Sequence, residues 1–524
     1  MTEPKKYVRW LGLVAVSLGV FMSLLDVTVV NVALPTIQRS FNASFDNLQW
    51  VINAYTMVYA VVLLLMSKLG DMYGRKRIFL LSMFIFTIAS ALDASANSML
   101  MLNFFRGVQA IGGAGMMSLS MAITASTFQG KERGVAMGVL GSIIGVSTAM
   151  GPLIGGALVQ VFSWRAIFFI NIPVGIIAFI MTLVYVHEGK TWGSKGGIDW
   201  IGIILSGLTV FGIIFGLIQK ESHTDWGWLD WRIAGYIIMA IFALILFILW
   251  ERKTKAPMMD LNIFKHPTFT GAVIAAFMLG AGLYSFYAYL TILMQNYIGY
   301  SALQTGTRQL LISGFSLGLG PVAGILSNYI AKRWLIGGSL LVIAAGMLVL
   351  LLDIHVGMSF ATFWPAFILI GVGGAIINPP MNSAAMDSVE PYQLGMASGI
   401  LNVLRQFGVS FGVVLLGLRL TDGYRASLDG ALPKLSMPSQ VATGLHHALF
   451  EAGPFAGIDV LTSKAAKPFT KLPGFSQLQH DVIGAFNHGF GNVLYVSMGL
   501  LILGAIAAFV LIKEPNSNTD INHQ

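Results

Sequence analysis

One carboxylate stands in the middle of an otherwise uncharged apolar run. The stretch Leu24-Leu25-Asp26-Val27-Thr28-Val29-Val30-Asn31-Val32-Ala33-Leu34-Pro35 closes a first apolar segment, 10–35, long enough to cross a bilayer. An ionisable group in hydrocarbon is costly and marks a functional site by default. At ~1.5 Å of helical rise per residue, Asp26 lies roughly 13 Å from the outer end of that segment. Arg106 belongs to the run 98–128 and reaches a similar depth, roughly 12 Å. A carboxyl's hold on its proton depends on the polarity around it and on the nearness of a cation. Movement of Asp26 between two environments would therefore take a proton on one side and release it on the other. One charge crossing 100 mV is worth about 2.3 kcal/mol, so the driving force exists. A structural ion pair, or a capping role for Asp26, is the competing reading. The remaining acids near the spans, Asp93, Asp199 and Asp353, fall at segment ends, where water is expected to reach them.

A second set of residues suits recognition of flat lipophilic molecules. Trp50, Tyr55 and Tyr59 lie in the second apolar run, and Tyr284, Phe286, Tyr287 and Tyr289 in the ninth. Aromatic faces attract organic cations, although packing or lipid contact explains most single aromatics in spans. Asn31, Gln109, Asn378, Asn402, Arg405 and Gln406 are the polar candidates. Arg405 either faces a cavity or anchors helix contacts. The 26 methionines would give such a site an adaptable surface. With no cysteine in the chain, disulfides and thiolate metal sites are excluded. No metal site and no cofactor is expected, and the lack of a second deep acid argues against dedicated divalent-cation transport. Gly189-Lys190-Thr191 ends like a phosphate-binding loop, but Val184 stands where that loop needs glycine. No paired nucleophile and base lies within the spans, so an enzyme is not expected.

The elements that would hold these residues follow from composition. Of 524 residues, 56% are hydrophobic and 10% charged, against about 25% charged in soluble domains. Mean hydropathy is +0.76. The net charge of +8 sits in short segments between apolar runs, which fits the positive-inside rule rather than nucleic-acid binding. Fourteen runs reach spanning length, the last two at 395–418 and 489–512. No cleavable signal peptide is expected, because the first run is too long and lacks a small-residue cleavage site. With the N-terminus inside, 18 basic residues fall inside against 4 outside (Arg39, Arg165, Lys220 and Arg232). Both termini are therefore expected on the cytoplasmic side of a multi-pass membrane protein.

The chain also repeats itself. Gly134-Val-Ala136-Met-Gly138-Val-Leu140 returns as Gly395-Met-Ala397-Ser-Gly399-Ile-Leu401, and Leu69-Gly-Asp71 through Lys76 returns, weakened, as Leu326-Ser-Asn328 through Arg333. Two six-span halves in the same orientation are implied, with the site at the midplane between them. The expected organisation is an all-α membrane protein of 14 helices as 6+2+6, with a first bundle at 1–186, two inserted helices at 187–267 and a second bundle at 268–524. An outer loop, 419–488, belongs to the second bundle. Its stretch Val441–Phe450 has helical apolar spacing, and Pro433, Pro438, Pro454, Pro468 and Pro473 punctuate it. Short amphipathic elements over the outer surface are expected.

Three motifs point to a family. Ser67-Lys68-Leu69-Gly70-Asp71-Met72-Tyr73-Gly74-Arg75-Lys76-Arg77 resembles motif A of the major facilitator superfamily, departing from it at Ser67 and Met72. Gly70 and Gly74 would make a tight turn, and Asp71 could pair with Arg75 or sit on a helix N-terminus. The resemblance puts that N-terminus at the start of span 13, near Gly395. Arg106-Gly107-Val-Gln109-Ala110-Ile-Gly112 resembles motif B, and Gly141, Gly145, Gly151-Pro152 and Gly155-Gly156 resemble the antiporter signature, motif C. Together with Trp164-Arg165 through Asn171-Ile-Pro173-Val-Gly175, Asn378-Pro379 and Arg405-Gln406-Phe-Gly408, the chain resembles the fourteen-span drug:proton antiporter-2 family. That resemblance implies a monomeric, proton-driven exporter of lipophilic, often cationic compounds. Export of an endogenous lipid or metabolite, and a non-transporting sensor or assembly factor on the same fold, are the alternatives.

Overall fold

The structure, a computed structural model, describes residues 6–41, 45–188, 199–223, 226–254, 257, 259–431, 439–462 and 474–513. Gly189-Lys190-Thr191, Lys5, Lys195 and Lys255 lie outside these residues, as do Pro433, Pro438, Pro468 and Pro473. Glycines and prolines punctuate the apolar runs, and each run between them closes its own backbone hydrogen bonds. In lipid only a helix or a closed barrel can do that. The helices are α1 Lys6–Phe41, α2 Phe45–Tyr73, α3 Arg75–Ala94, α4 Met99–Thr127 and α5 Gly130–Val161. They continue as α6 Ala166–Tyr185, broken at Ile170, then α7 Trp200–Ser222, α8 Trp231–Glu251 and α9 Pro267–Tyr297. The last six are α10 Ala302–Leu326, α11 Lys332–Leu352, α12 Phe360–Asp387, α13 Leu394–Ala431, α14 Ser439–Thr462 and α15 Phe475–Leu511. No strand occurs among the described residues. Thirteen of these helices are long and apolar enough to span. The glycine-rich α5, at 32 residues, takes the fifth place among the expected fourteen.

Packing follows the repeat. In the first half α1 packs on α5 and α6, and α4 on α2 and α3; in the second, α12 packs on α10 and α11, and α15 on α9, α11 and α13. The inserted α7 and α8 pack chiefly on each other, with α7 also against α2 and α13. The halves meet through α5 on α10 and α12, and through α13 on α2 and α4. Glycine makes the first seam possible. A Cβ on Gly134 would come within 2.5 Å of the Gly324 carbonyl, and one on Gly138 within 2.7 Å of the Gly320 carbonyl. Backbones this close leave room for hydrogen only. Gly145 packs against Ser316, after which α5 turns to α1, where Gly151 and Gly155 pack on Thr28 and Val29. The contacts between the halves thus run from the basic face of the molecule to its middle.

Three expectations are corrected here. The region 419–488 is not a loop of short elements: α13 continues through Ala431 and α15 begins at Phe475, each well beyond its apolar run. Polar residues tolerate a helix that projects from the membrane, so hydropathy located the span and not the helix end. Between them α14 is a helix from Ser439 to Thr462, kinked at Gly453 (φ 66°). Gly70 forms no turn but lies within α2, where its missing side chain admits Leu119. Gly74 alone turns the chain, at φ 110°. Asp93 is not solvated; its place is described below.

Candidate functional site

The deepest polar network of the first half gathers side chains from four helices. Arg106 of α4 and Asp26 of α1 form an ion pair, with Asp26 2% and Arg106 1% exposed. Nη1 of Arg106 donates to Oδ2 of Asp26 and to Oε1 of Gln109, while its Nε donates to the Val51 carbonyl at 3.2 Å. Oδ1 of Asp26 accepts from Nε2 of Gln109 and from Nδ2 of Asn171, both at 2.9 Å. Ser90 of α3 accepts from the same two amides, at 2.7 and 3.3 Å. The Tyr55 ring lies over the guanidinium at 4.4 Å, and Phe168 lies 5.8 Å away. Leu25, Val29, Val51 and Phe168 seal the pair in an apolar cluster. Helical spacing explains part of this: Arg106 and Gln109, three apart, share a face of α4. Asn171, which begins the second piece of α6, donates to Asp26 from there.

Asp93 lies beside this network. It is fully buried at the end of α3, and neither carboxylate oxygen has a hydrogen-bond partner. A span end was expected to be wet, but the start of α6 folds over it, with Arg165 donating to the Ala96 carbonyl at 2.9 Å. Asn171 and Ser90 are the residues whose roles the sequence reading missed. Asn171 belongs to the Trp164–Gly175 motif, whose spacing does not show which way its side chain turns. Ser90 carries no signal beyond being a hydroxyl in an apolar run.

The aromatic candidates divide. Tyr55 and Tyr59 are buried and their rings stack at 5.8 Å. Tyr284 and Asn378 hydrogen-bond at 3.0 Å, with the Tyr287 ring 6.4 Å from that of Tyr284. Trp50 joins neither group: it is 36% exposed and its ring faces Phe215 of α7 at 6.1 Å. Asn31 is exposed. Asn402 and Arg405 are buried on α13 and hydrogen-bond each other, whereas Gln406 is only half-buried.

The first of the motifs sits at the basic ends of the helices, whereas the glycines at 151, 155 and 156 lie near the far end of α5. Asp71 pairs with Arg75 at 2.8 Å, and Arg75 reaches the Pro391 carbonyl at 3.2 Å. The Asp71 carboxylate accepts from the Met396 backbone N–H at the start of α13, and a Cβ on Gly395 would come within 2.3 Å of it. Gly151, Gly155 and Gly156 are buried in α5; the Pro152 side chain lies outside the described ones. The repeat is visible at the matching seam, where Asn328 sits against Gly134 as Asp71 sits against Gly395. There Asp387 adds ion pairs to Arg133 at 2.7 Å and Lys332 at 2.6 Å. Among the described residues no cluster of acids and histidines could hold a metal.

Comparison with known proteins bears on this architecture. The chain is 30% identical over 515 residues to the tetracenomycin C resistance and export protein of Streptomyces glaucescens, covering 97% of this chain and 92% of that one. It is 31% identical over 530 residues to the multidrug transporter protein MdtP of Bacillus subtilis, covering 98% and 94%. It is 31% identical to the puromycin resistance protein pur8 of Streptomyces alboniger, covering 87% and 90%. In fold it is similar to the human organic anion transporter MFSD10, with a TM-score of 0.61 at 14% identity over 95% of this chain and 100% of that one. The family model described as Major Facilitator Superfamily matches residues 16–413. Two repeated helical halves joined by glycine seams, and a match over most of its length, make this chain a member of the major facilitator superfamily, a multi-pass membrane transporter.

Proposed function

We propose that the protein exports lipophilic, often cationic, compounds across the bacterial plasma membrane in exchange for protons. The relatives named for drug resistance and export support the direction and the kind of cargo. The working units are residues 1–186 and 268–524 with 187–267 as the insert, both termini are cytoplasmic, and a monomer suffices. Protons supply the energy and no cofactor is needed. The observation that carries the reading is the sealed Asp26–Arg106 pair with Gln109 and Asn171 around it.

A proton arriving on Asp26 removes one charge of the pair. Arg106 then keeps Gln109 Oε1 and the Val51 carbonyl as acceptors, so the cation is not abandoned. Oδ1 of Asp26 also holds α1 to α4 and α6 through Gln109 and Asn171. Loosening that grip frees α1, which rests on the glycine face of α5 beside Thr28 and Val29. Rocking of the halves about the α5–α10 and α2–α13 seams would follow, exposing the site to the other side. A cationic substrate and the proton then compete for the same carboxylate, directly or through this movement.

The test is ethidium transport in proteoliposomes with and without an imposed pH gradient. Wild-type protein is expected to drive uptake only with the gradient, and Asp26→Asn to lose coupled transport while still folding. Full gradient-driven transport by Asp26→Asn would refute the assignment.

A further inference from the structure

Arg405 is a second buried guanidinium, and the Asp26 network does not use it. Its Nη1 donates to Oδ1 of Asn402 at 3.4 Å and its Nη2 to Oδ1 of Asn382 at 3.2 Å, while Nε has no acceptor. The titratable groups acting on it are the hydroxyls of Tyr284 from α9 and Tyr59 from α2. Among the described residues no carboxylate pairs with Arg405. A guanidinium cannot shed its charge, and a buried charge without a counter-charge is costly. Arg106, equally buried, has its aspartate. Arg405 has two amides.

The surroundings of Arg405 are built, not left over. Gly280 opens a π-turn, Gly280–Tyr284, in α9, and such turns recur at functional sites. A Cβ on Gly280 would lie 2.3 Å from the Arg405 carbonyl, so the turn is pressed onto α13 at this residue. The turn ends on Tyr284, held by Asn378 at 3.0 Å. From the other half, Tyr59 stacks on Tyr55, which covers Arg106. Tyr59, the outer member of that stack, is near enough to act electrostatically on Arg405 across the interface between the halves.

We propose that Arg405 is the seat of an anionic group, such as a carboxylate, sulfonate or phenolate, on an otherwise lipophilic substrate. Asn382 and Asn402 hold the guanidinium plane, with Tyr59 and Tyr284 near enough to act on it electrostatically. The substrate's own charge then supplies the counter-ion that the chain withholds, so the seat is satisfied only when occupied. A guanidinium can meet two oxygens of a carboxylate or sulfonate through two parallel hydrogen bonds, and a phenolate oxygen through one or both of its N–H groups. The inference rests on the export reading and extends its cargo to acidic and zwitterionic compounds beside cations.

The test uses two probes that differ by one sulfonate, 1-anilinonaphthalene-8-sulfonate and N-phenyl-1-naphthylamine, with purified protein in phosphatidylcholine nanodiscs. Arg405→Gln is expected to weaken the sulfonate about 10- to 100-fold, the range for hydrogen bonds to a charged group, and to leave the neutral amine unchanged. Arg405→Lys should retain part of the sulfonate affinity. Unchanged sulfonate binding in Arg405→Gln, or equal loss of both probes, overturns the proposal. Wild-type protein gives an arm that needs no variant to fold: naphthalene-1-sulfonate should displace the anionic probe and naphthalene should not. Equal displacement also overturns it. Repeating the titration in phosphatidylglycerol separates sources, because a lipid headgroup in the seat would depress sulfonate affinity in the wild type but not in Arg405→Gln. Gradient-driven ethidium flux distinguishes the two readings. If flux is present and the sulfonate is indifferent to Arg405, the seat alone fails; if flux is absent and the discrimination stands, the export reading fails.

Discussion

The two halves of this transporter descend from one repeated pattern, yet they handle a buried arginine in opposite ways. In the first half Arg106 is matched by Asp26, and Gln109, Asn171 and Ser90 complete the network. In the second half Arg405 meets only the oxygens of Asn382 and Asn402. In the proposed function the paired charge is the one a proton opens, and in the proposed seat the unpaired one takes an anionic group. The same division appears at the basic face, where Asp71 sits on the start of α13 and neutral Asn328 on the start of α5. Symmetry supplies the scaffold, and departures from it carry the chemistry.

The strongest way to break this comparison is to remove each cation in turn. Arg106→Gln leaves Asp26 buried and uncompensated, and should cost about 3–5 kcal/mol of stability, seen as a lower thermal midpoint in detergent. Arg405→Gln breaks no ion pair and should stay within about 1 kcal/mol of the wild type, on either side. Equal losses from the two changes would erase the distinction between the halves.

A smaller effect should separate the two glycine seams. In Gly134→Ala the new methyl meets the Gly324 backbone at 2.5 Å, while in Gly395→Ala it meets the Asp71 side chain at 2.3 Å. A side chain can yield and a backbone cannot, so the first change should cost about 1–3 kcal/mol and the second less. Thermal midpoints of the two purified variants give the ordering directly.

The smallest change makes the two faces alike. Asp71→Asn removes the negative charge from the N-terminus of α13, a contribution of about 0.3–1 kcal/mol, and strips Arg75 of its partner. Faster hydrogen–deuterium exchange in the first turn of α13 is expected, with the start of α5 unchanged. Equal exchange at both sites would show that the charge does not hold this seam.

What the chain determined by itself was local and periodic. Long apolar runs had to become spanning helices, since hydrocarbon offers no other partner for the backbone. The offset between Gly134 and Gly395, and between Asp71 and Asn328, foretold two like halves, and the depths of Asp26 and Arg106 brought an acid and a base to one level. Only the tertiary structure decided which of these residues meet. Asn171 reaches Asp26 directly, and Ser90 joins the network by accepting from Gln109 and Asn171. Trp50 turns instead to α7. Asp93 is buried although it stands at a span end, and α13 and α15 run beyond their apolar stretches. Hydropathy reports the medium around a residue's segment; burial and pairing depend on side chains brought from far along the chain, and those contacts leave no periodic mark in the sequence.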